Sequence, residues 1–439
     1  MKSVVAIIGR PNVGKSTLFN RLSGGKRAIV IDEPGATRDR NYADCLWNGK
    51  PFILIDTGGF EPASTEKILI QMREQASLAI EEADVILFIL DGRDGLLSAD
   101  IEIAGLLRTV TKPVFFIVNK VDGPKQQQGV YDFYRLGVER LYSLSALEGS
   151  GLGDLMDDVA DHLTEAEERT DDERIGIAVI GKPNVGKSSL VNRFLGYERT
   201  IVNPEAGTTR DAIDTPFDWE GRKYLLIDTA GIRRKSRIQA SLEKHSIVQA
   251  LRAIDRCDVA LLLIDAMEGI TEQDAKIAGL TIDKGAAGII VVNKWDGVEK
   301  DDRTIGKYVK DIKDQLKFMD FAPIIFISAL TGQRVPRIFA LVERVYAQYT
   351  RRIGTGELNK GIRDFLDANP PSRHRGRENK FLYVTQAAVK PPTFVFFVQE
   401  PTAVHFSYER YLANRIRETF ALDLVPIRLI FRKRSRQTD

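Results

Sequence analysis

Cysteine is scarce: Cys45 and Cys257 are the only two in 439 residues. Two thiols so far apart in sequence build neither a disulfide framework nor a cysteine metal site, and they suit a reducing compartment. Histidine is nearly as rare, with four residues and no cluster, so no metal-ligand spacing is present. Long apolar runs are missing too. The longest candidates, Val85–Leu90 and Val259–Ile264, are strand-sized, whereas a spanning helix needs about 18 residues. The opening Met1-Lys2-Ser3-Val4-Val5-Ala6-Ile7-Ile8 is too short for the apolar core of a signal peptide and reads as a first β-strand. These absences lead us to expect a cytoplasmic protein with no membrane partner.

What is present is ordinary in bulk, with 43% hydrophobic and 28% charged residues. The length suggests roughly two to four domains. The net charge of +2 conceals an asymmetry. From Arg351 to Asp439 there are 17 Lys and Arg against 9 Asp and Glu, so the last fifth of the chain is basic and the remainder acidic. A basic segment of this kind is the expected nucleic-acid face.

The chain repeats itself. Gly9 to Asp39 aligns without gaps onto Gly181 to Asp211, with 19 of 31 positions identical. The same offset of 172 carries Trp47 onto Trp219 and Asp56 onto Asp228; it grows to 174 at Asn119 and Asn293 and to 183 at Ser145 and Ser328. A domain-sized period with loop insertions is a duplicated domain, not a solenoid. Each copy alternates short apolar runs with helical stretches. The runs are Val4–Ile8, Phe52–Ile55, Val85–Leu90 and Val114–Val118, then Ile177–Ile180, Tyr224–Ile227, Val259–Ile264 and Gly288–Val292. Continuous apolar runs suit strands buried on both faces of a mostly parallel sheet, so each copy is expected to be a doubly wound α/β domain.

The expected division is residues 1–163, an acidic linker 164–174, residues 175–350, and a basic α+β domain 351–439. Arg337–Arg352 closes the second copy as a helix, and in the last domain Thr355 is an N-cap candidate. Lys380–Val389, Thr393–Val398 and Val425–Phe431 read as strands, and Phe406–Phe420 as a helix.

The chemistry lies in three motifs, each present twice. Gly9-Arg10-Pro11-Asn12-Val13-Gly14-Lys15-Ser16, followed by Thr17, is a G-x-x-x-x-G-K-[ST] phosphate loop. Gly181-Lys182-Pro183-Asn184-Val185-Gly186-Lys187-Ser188, followed by Ser189, is a second. The glycines let backbone N–H groups turn around phosphates at a helix N-terminus. Lys15 and Lys187 would neutralise the β- and γ-phosphates, and the Ser16 and Ser188 hydroxyls would hold Mg²⁺. Asp56-Thr57-Gly58-Gly59 and Asp228-Thr229-Ala230-Gly231 each end a strand. Their carboxylates can reach Mg²⁺, and Gly59 and Gly231 can offer an N–H to the γ-phosphate. Asn119-Lys120-Val121-Asp122 and Asn293-Lys294-Trp295-Asp296 choose the base. Guanine presents two donors on one edge, and the carboxylates of Asp122 and Asp296 accept both; adenine has no such pair. The asparagines would buttress the loop and reach the other edge of the base, while Ser145-Ala146-Leu147 and Ser328-Ala329-Leu330 would bring a backbone N–H to guanine O6. The expected ligands are therefore GTP and GDP.

Both copies resemble translation-factor-type GTPase domains. Two of them followed by a small basic domain resemble the bacterial Der (EngA) family of tandem GTPases, over essentially the whole chain. In that resemblance Thr37 and Thr209, each in a Thr-Arg-Asp triplet, match the mobile switch threonine that contacts Mg²⁺ and the γ-phosphate. Asn12 and Asn184 match the asparagine that helps bind a stimulating K⁺ in related GTPases. Phe60 and Ile232 stand where small GTPases place a water-orienting glutamine, so hydrolysis must find other help. The resemblance also implies a KH-like third domain, assembly of the large ribosomal subunit, contact with its rRNA but not with DNA, and a monomeric state. Between Arg351 and Asp439 there is no G-x-x-G loop of the kind with which conventional KH modules grip RNA. The charge runs Arg233-Arg234-Lys235-Ser236-Arg237, Arg373-His374-Arg375-Gly376-Arg377 and Arg432-Lys433-Arg434-Ser435-Arg436 are candidates for phosphate contacts. A GTPase acting in tRNA modification or at a membrane is the alternative reading. It is disfavoured because no spanning run and no further catalytic constellation is present.

Overall fold

A computed structural model describes residues 2–24, 29–31, 40–56, 77, 79–164, 174–196, 200–202, 214–228, 246–299, 301–371 and 379–433. The chain forms two compact units, Met1–Asp171 and Asp172–Asp439.

The first unit is built on β1 (Ser3–Ile8), β2 (Ile29–Ile31), β3 (Arg40–Trp47), β4 (Lys50–Asp56), β5 (Val85–Asp91), β6 (Val114–Asn119) and β7 (Leu141–Ser143). They form one sheet in the order β2-β3-β4-β1-β5-β6-β7. All six residues of β1 and all seven of β5 are buried, which requires cover on both faces of the sheet. β1 pairs in parallel with β4 on one side and β5 on the other. Strand order reverses there, and the crevice at the carboxyl ends of such strands is where this class of fold takes its ligand.

The second unit repeats the plan with β8 (Ile175–Ile180), β9 (Thr200–Val202), β10 (Thr215–Trp219), β11 (Arg222–Ile227), β12 (Val259–Asp265), β13 (Ala287–Asn293) and β14 (Ile324–Phe326), ordered β14-β13-β12-β8-β11-β10-β9. Neither sheet is wholly parallel: β3 runs antiparallel to β4, and β10 to β11. These hairpins turn on Asn48-Gly49 and Glu220-Gly221, all four at positive φ, the two-residue turn whose twist matches that of the strands.

The second unit also carries the C-terminal segment. β15 (Phe381–Ala388), β16 (Thr393–Val398) and β17 (Arg428–Lys433) form a three-stranded sheet, β17 parallel and β15 antiparallel to the central β16. The helices Thr355–Ala368 and Phe406–Thr419 contribute Leu358, Ile362, Phe365, Leu412 and Ile416 to a core shared with Phe394 and Phe396. Thr355 begins its helix rather than capping it; Gly354 holds the cap position. That core is continuous with the core of the second sheet. Lys390 Nζ reaches Asp258 at 3.1 Å, and the Tyr349 hydroxyl donates to Gly285 O at 2.8 Å. Trp219 is a core residue stacked on Phe339.

Candidate nucleotide sites

Each phosphate loop leaves the central strand of its sheet and enters a helix, Lys15–Leu22 or Lys187–Leu195. Gly14 and Gly186 sit at the helix starts with φ of 99°, which an L side chain rarely adopts. A Cβ on either would overlap the amide nitrogen of Asn119 or Asn293. Neither helix has a side-chain cap or an acidic residue in its first turn. Their leading N–H groups are thus offered to an anion, with the helix dipole behind them.

Lys15 Nζ donates to Gly9 O at 2.8 Å and Arg10 O at 2.7 Å; Lys187 Nζ donates to Gly181 O at 2.7 Å and Lys182 O at 2.6 Å. The lysines therefore span the mouths of their loops. Burial pushes Lys15 down to about 8, against the pull of the nearby Asp56 carboxylate and with a smaller push from Arg10. A phosphate would add a second anion beside this ammonium.

The asparagines of the base-reading motif act as keys. Asn119 Nδ2 donates to Val13 O at 2.7 Å, while its Oδ1 accepts the Ala146 N–H at 2.8 Å. Asn293 does the same between Val185 O at 2.8 Å and the Ala329 N–H at 2.9 Å. One buried amide thus ties the phosphate loop to the Ser-Ala loop, which lies more than a hundred residues away in sequence. The Ser145 and Ser328 N–H groups close their own loops onto Ser150 O and Gln333 O. Both asparagines buttress, and the N–H groups of Ser145, Ala146, Ser328 and Ala329 are bonded within the protein.

The neighbouring lysines also face inward. Lys120, at φ 65°, places Nζ 2.6 Å from Asp91 and 2.6 Å from Asn12 O. Lys294, at φ 60°, pairs with Asp265 at 2.5 Å. Burial alone would raise Asp91; the Lys120 ammonium and the N–H groups of Arg93 and Asp94 outweigh it and hold the carboxyl below its usual range. Asp122 stands at the loop edge, held low by the Ser145 hydroxyl and by Arg93, whose Nη2 lies 2.5 Å from it.

The metal-ligand candidates of the first site meet: Ser16 Oγ donates to Asp56 Oδ2 at 2.8 Å, and Asp56 is fully buried at the end of β4. Two hard oxygens at the base of the lysine-spanned loop fit Mg²⁺. In the second site β11 ends one residue earlier, at Ile227. Asp228 takes φ 57°, and its N–H donates to Asp214 Oδ1 at 3.0 Å. Thr37, Thr57, Gly58, Gly59 and Phe60 lie outside the described residues, as do Thr209, Thr229, Ala230, Gly231 and Ile232. So do Arg233, Arg234, Lys235, Ser236 and Arg237, Arg373 to Arg377, and Arg434 to Arg436. Among the described residues no cluster of His, Cys, Asp or Glu has metal-holding geometry, and no helix is long and apolar enough to cross a membrane.

Three pairs of supporting residues escape a motif reading. Arg21 donates to Ala146 O at 2.6 Å and also to Leu147 O; Arg193 donates to Ala329 O at 3.3 Å and also to Leu330 O. Asp91 and Asp265 hold the motif lysines. Asp100 and Asp274, both fully buried, hold Arg10 at 3.2 Å and Lys182 at 3.7 Å. All six recur at the offsets of 172 or 174 that align the motifs. The repeat was the signal that could have found them.

Comparison with known proteins agrees with this geometry. A family described as "50S ribosome-binding GTPase" matches residues 4–120 and 176–294. A second, "KH-domain-like of EngA bacterial GTPase enzymes, C-terminal", matches 352–432. Among solved structures the chain is similar to Aquifex aeolicus Era bound to GDP and aluminium fluoride, at 24% identity over 58% of this chain and 87% of that one; the TM-score of 0.31 adds nothing to the argument. Full-length relatives are far nearer. GTPase Der of Geobacter metallireducens is 54% identical over 438 residues, all of both chains, and GTPase Der of Syntrophotalea carbinolica is 54% identical over 99% of both. With two phosphate loops each locked by a buried asparagine, full-length relatives at 54% identity and a KH-like segment after the second loop's domain, the chain belongs to the GTPase Der family and is a GTPase.

Proposed function

We propose that both sites bind and hydrolyse GTP, and that the chain is a nucleotide-controlled switch in assembly of the large ribosomal subunit. The observation that carries the two-site reading is the asparagine key, built twice with the same partners to within about 0.1 Å. A degenerate copy has no need of a buried amide that serves only to hold the phosphate loop against the base loop. Residues 1–163 and 175–350 are then the two catalytic domains and 351–439 the ribosome-facing one. Lys15 and Lys187 orient the β- and γ-phosphates, with the first-turn N–H groups beside them. Asp122 and Asp296 accept the guanine donors. Ser16 and Asp56, with Ser188 and Asp228, would hold Mg²⁺, which when bound spreads the charge of the β- and γ-phosphates. Thr37, Thr209, Gly59 and Gly231 complete the γ-phosphate contacts.

Nothing polar follows the Asp-x-x-Gly motif where a glutamine would orient water. Asn12 and Asn184 would help hold K⁺, which would supply positive charge beside the phosphates; both residues are exposed on left-handed turns of the loop, at φ 64° and 59°. Hydrolysis should run faster in K⁺ than in Na⁺ at equal ionic strength, and Asn12→Ala or Asn184→Ala should erase the difference at its own site. The basic C-terminal segment, with no further catalytic motif read in the sequence, favours a switch working in the cytoplasm on rRNA over an enzyme whose product matters. The test is sedimentation with large subunits. Protein loaded with a GTP analogue should co-sediment and protein loaded with GDP should not; equal sedimentation in both states would remove the switch.

A further inference from the structure

The two base loops differ at one residue that neither motif includes. Arg93 follows the end of β5, where the chain turns back toward the nucleotide crevice, and its Nη2 lies 2.5 Å from Asp122 Oδ2. At the matching position of the second unit, 174 residues on, stands Met267. It is 62% exposed, and its sulfur lies near the base loop, 3.1 Å from where a Cβ on Gly297 would be. A thioether cannot pair with a carboxylate. Asp122 is the group that must accept the two guanine donors, and its oxygens cannot serve the base and a guanidinium in the same plane at full strength. We propose that Arg93 is an affinity-setting residue of the first site: it occupies the guanine-reading carboxylate when the base is absent and must be displaced for guanine to dock. The second site, with Met267, has no such competitor at that position.

Several features of the site support displacement over a permanent structural pair. The Arg93 side chain is 59% exposed, against 22% for Asp122, so the arginine can swing into solvent at little cost. Its backbone is anchored independently, through its N–H to Asp91 Oδ1 at 2.9 Å, so the turn survives when the side chain leaves. The Ser145 hydroxyl bonds Asp122 and keeps the carboxylate oriented meanwhile. The difference lies at residues 93 and 267, since Asp296 has interactions of its own.

The inference rests on Asp122 being the base-reading group, and the test separates the two. In full-length Lys187→Ala, where only the first site binds, Arg93→Met should tighten GDP about two- to fivefold, the range for one exposed ion pair, with most of the gain in the association rate. In Lys15→Ala, Met267→Arg should weaken GDP at the second site by a similar factor. The same Arg93→Met change in an Asp122→Asn background, read with xanthosine diphosphate, should have no effect, because an amide does not attract the guanidinium. Unchanged or weaker GDP binding in Arg93→Met would overturn the proposal and make the arginine inert or a direct contact to the nucleotide. An equal gain in the Asp122→Asn background would overturn it too. If Asp122→Asn fails to take xanthosine diphosphate at all, it is the base assignment that has failed.

Discussion

At position 10 the first phosphate loop carries an arginine, and at the matching position 182 the second carries a lysine. The backbone around them is the same, down to a φ of 99° at Gly14 and at Gly186. The charges are arranged differently. Arg10 forks between Asp94 at 3.0 Å and Asp100 at 3.2 Å, whereas Lys182 places one ammonium 2.6 Å from Glu268 and 3.7 Å from Asp274. Asp100 caps a helix whose N-cap, Leu97, has no side-chain acceptor. Asp274 shares its helix start with Thr271, whose hydroxyl accepts the Asp274 N–H. Asp56 bonds Ser16 in the first site, and Asp228 takes a left-handed conformation in the second. The comparison teaches that duplication preserved what fixes the backbone around phosphate and base. It left free the electrostatics that set how tightly and how fast each site works.

The largest expected effect tests whether the two sites are the same device. Asp122→Asn and Asp296→Asn should each cost their own site about a thousandfold in guanine affinity and turn it toward xanthine, because a buried recognition bond is replaced by opposed donors. Titrating each variant with fluorescent GDP and XDP, the other site silenced, reads this directly. Retention of tight GDP binding by one variant alone would break the symmetry at its centre.

Next come the buried carboxylates. Asp100→Ala leaves Arg10 in a site where it is 10% exposed, and Asp274→Ala leaves Lys182 at 8%. Each cation keeps a second partner, Asp94 or Glu268, so the loss should stay below the about 3–5 kcal/mol of a fully stranded buried charge. The larger loss should fall on Asp274→Ala, which removes the acceptor of both the Thr271 N–H and the Thr271 hydroxyl, whereas Asp100→Ala removes only that of the Leu97 N–H. Denaturant unfolding of each variant gives the order; a larger loss at Asp100 would mean that the fork of Arg10 outweighs the cap. A milder exchange isolates the cap itself. Leu97 is 43% exposed, so Leu97→Thr loses little burial and should stabilise the first unit by about 1 kcal/mol, while Thr271→Leu should cost the second about as much. Opposite shifts in unfolding midpoint check the pair.

Much of this was legible in sequence, for reasons that differ by residue. The phosphate loops were legible because a glycine at φ 99° and a lysine at fixed spacing leave a local signature, and the strand runs before them are continuous. Asp56, Asp122 and their counterparts were legible through the repeat. The hairpin strands β3 and β10 were not read, although Asn48-Gly49 signals such a turn, because their half-polar sequences lack an apolar run. Asp100, Arg21 and Arg93 were illegible for a different reason. Each acts on a loop 90, 125 or 29 residues away, so its role exists only once the sheet has brought the loops together. That the C-terminal core merges with the core of the second unit was likewise invisible to composition, which marked the segment only as basic.

The smallest effect concerns protons at the first phosphate loop. Burial holds Lys15 at about 8 in the nucleotide-free protein, below the ordinary lysine value of 10.5. Between those values the unfolded chain binds a proton there that the folded chain does not. Folding is therefore disfavoured by Lys15 below 8, and that penalty fades as pH rises toward 10.5. Nucleotide binding carries the opposite sign. A phosphate beside the ammonium restores the charged form, so the complex takes up a proton wherever the free site has lost it. Near pH 7 almost none is taken up, and at about pH 8.5 most of one proton is. GDP affinity of the first site should accordingly fall about fourfold from pH 7 to pH 8.5, roughly 0.8 kcal/mol. Calorimetry on Lys187→Ala in two buffers of different ionisation enthalpy measures the proton and the affinity together. Running the same titration on Lys15→Ala gives the second site's profile and shows whether the arginine-flanked loop differs from the lysine-flanked one. A flat affinity and no proton uptake at the first site would mean that Lys15 stays fully charged against the carbonyls of Gly9 and Arg10. The phosphate would then gain a cation already paid for by the fold.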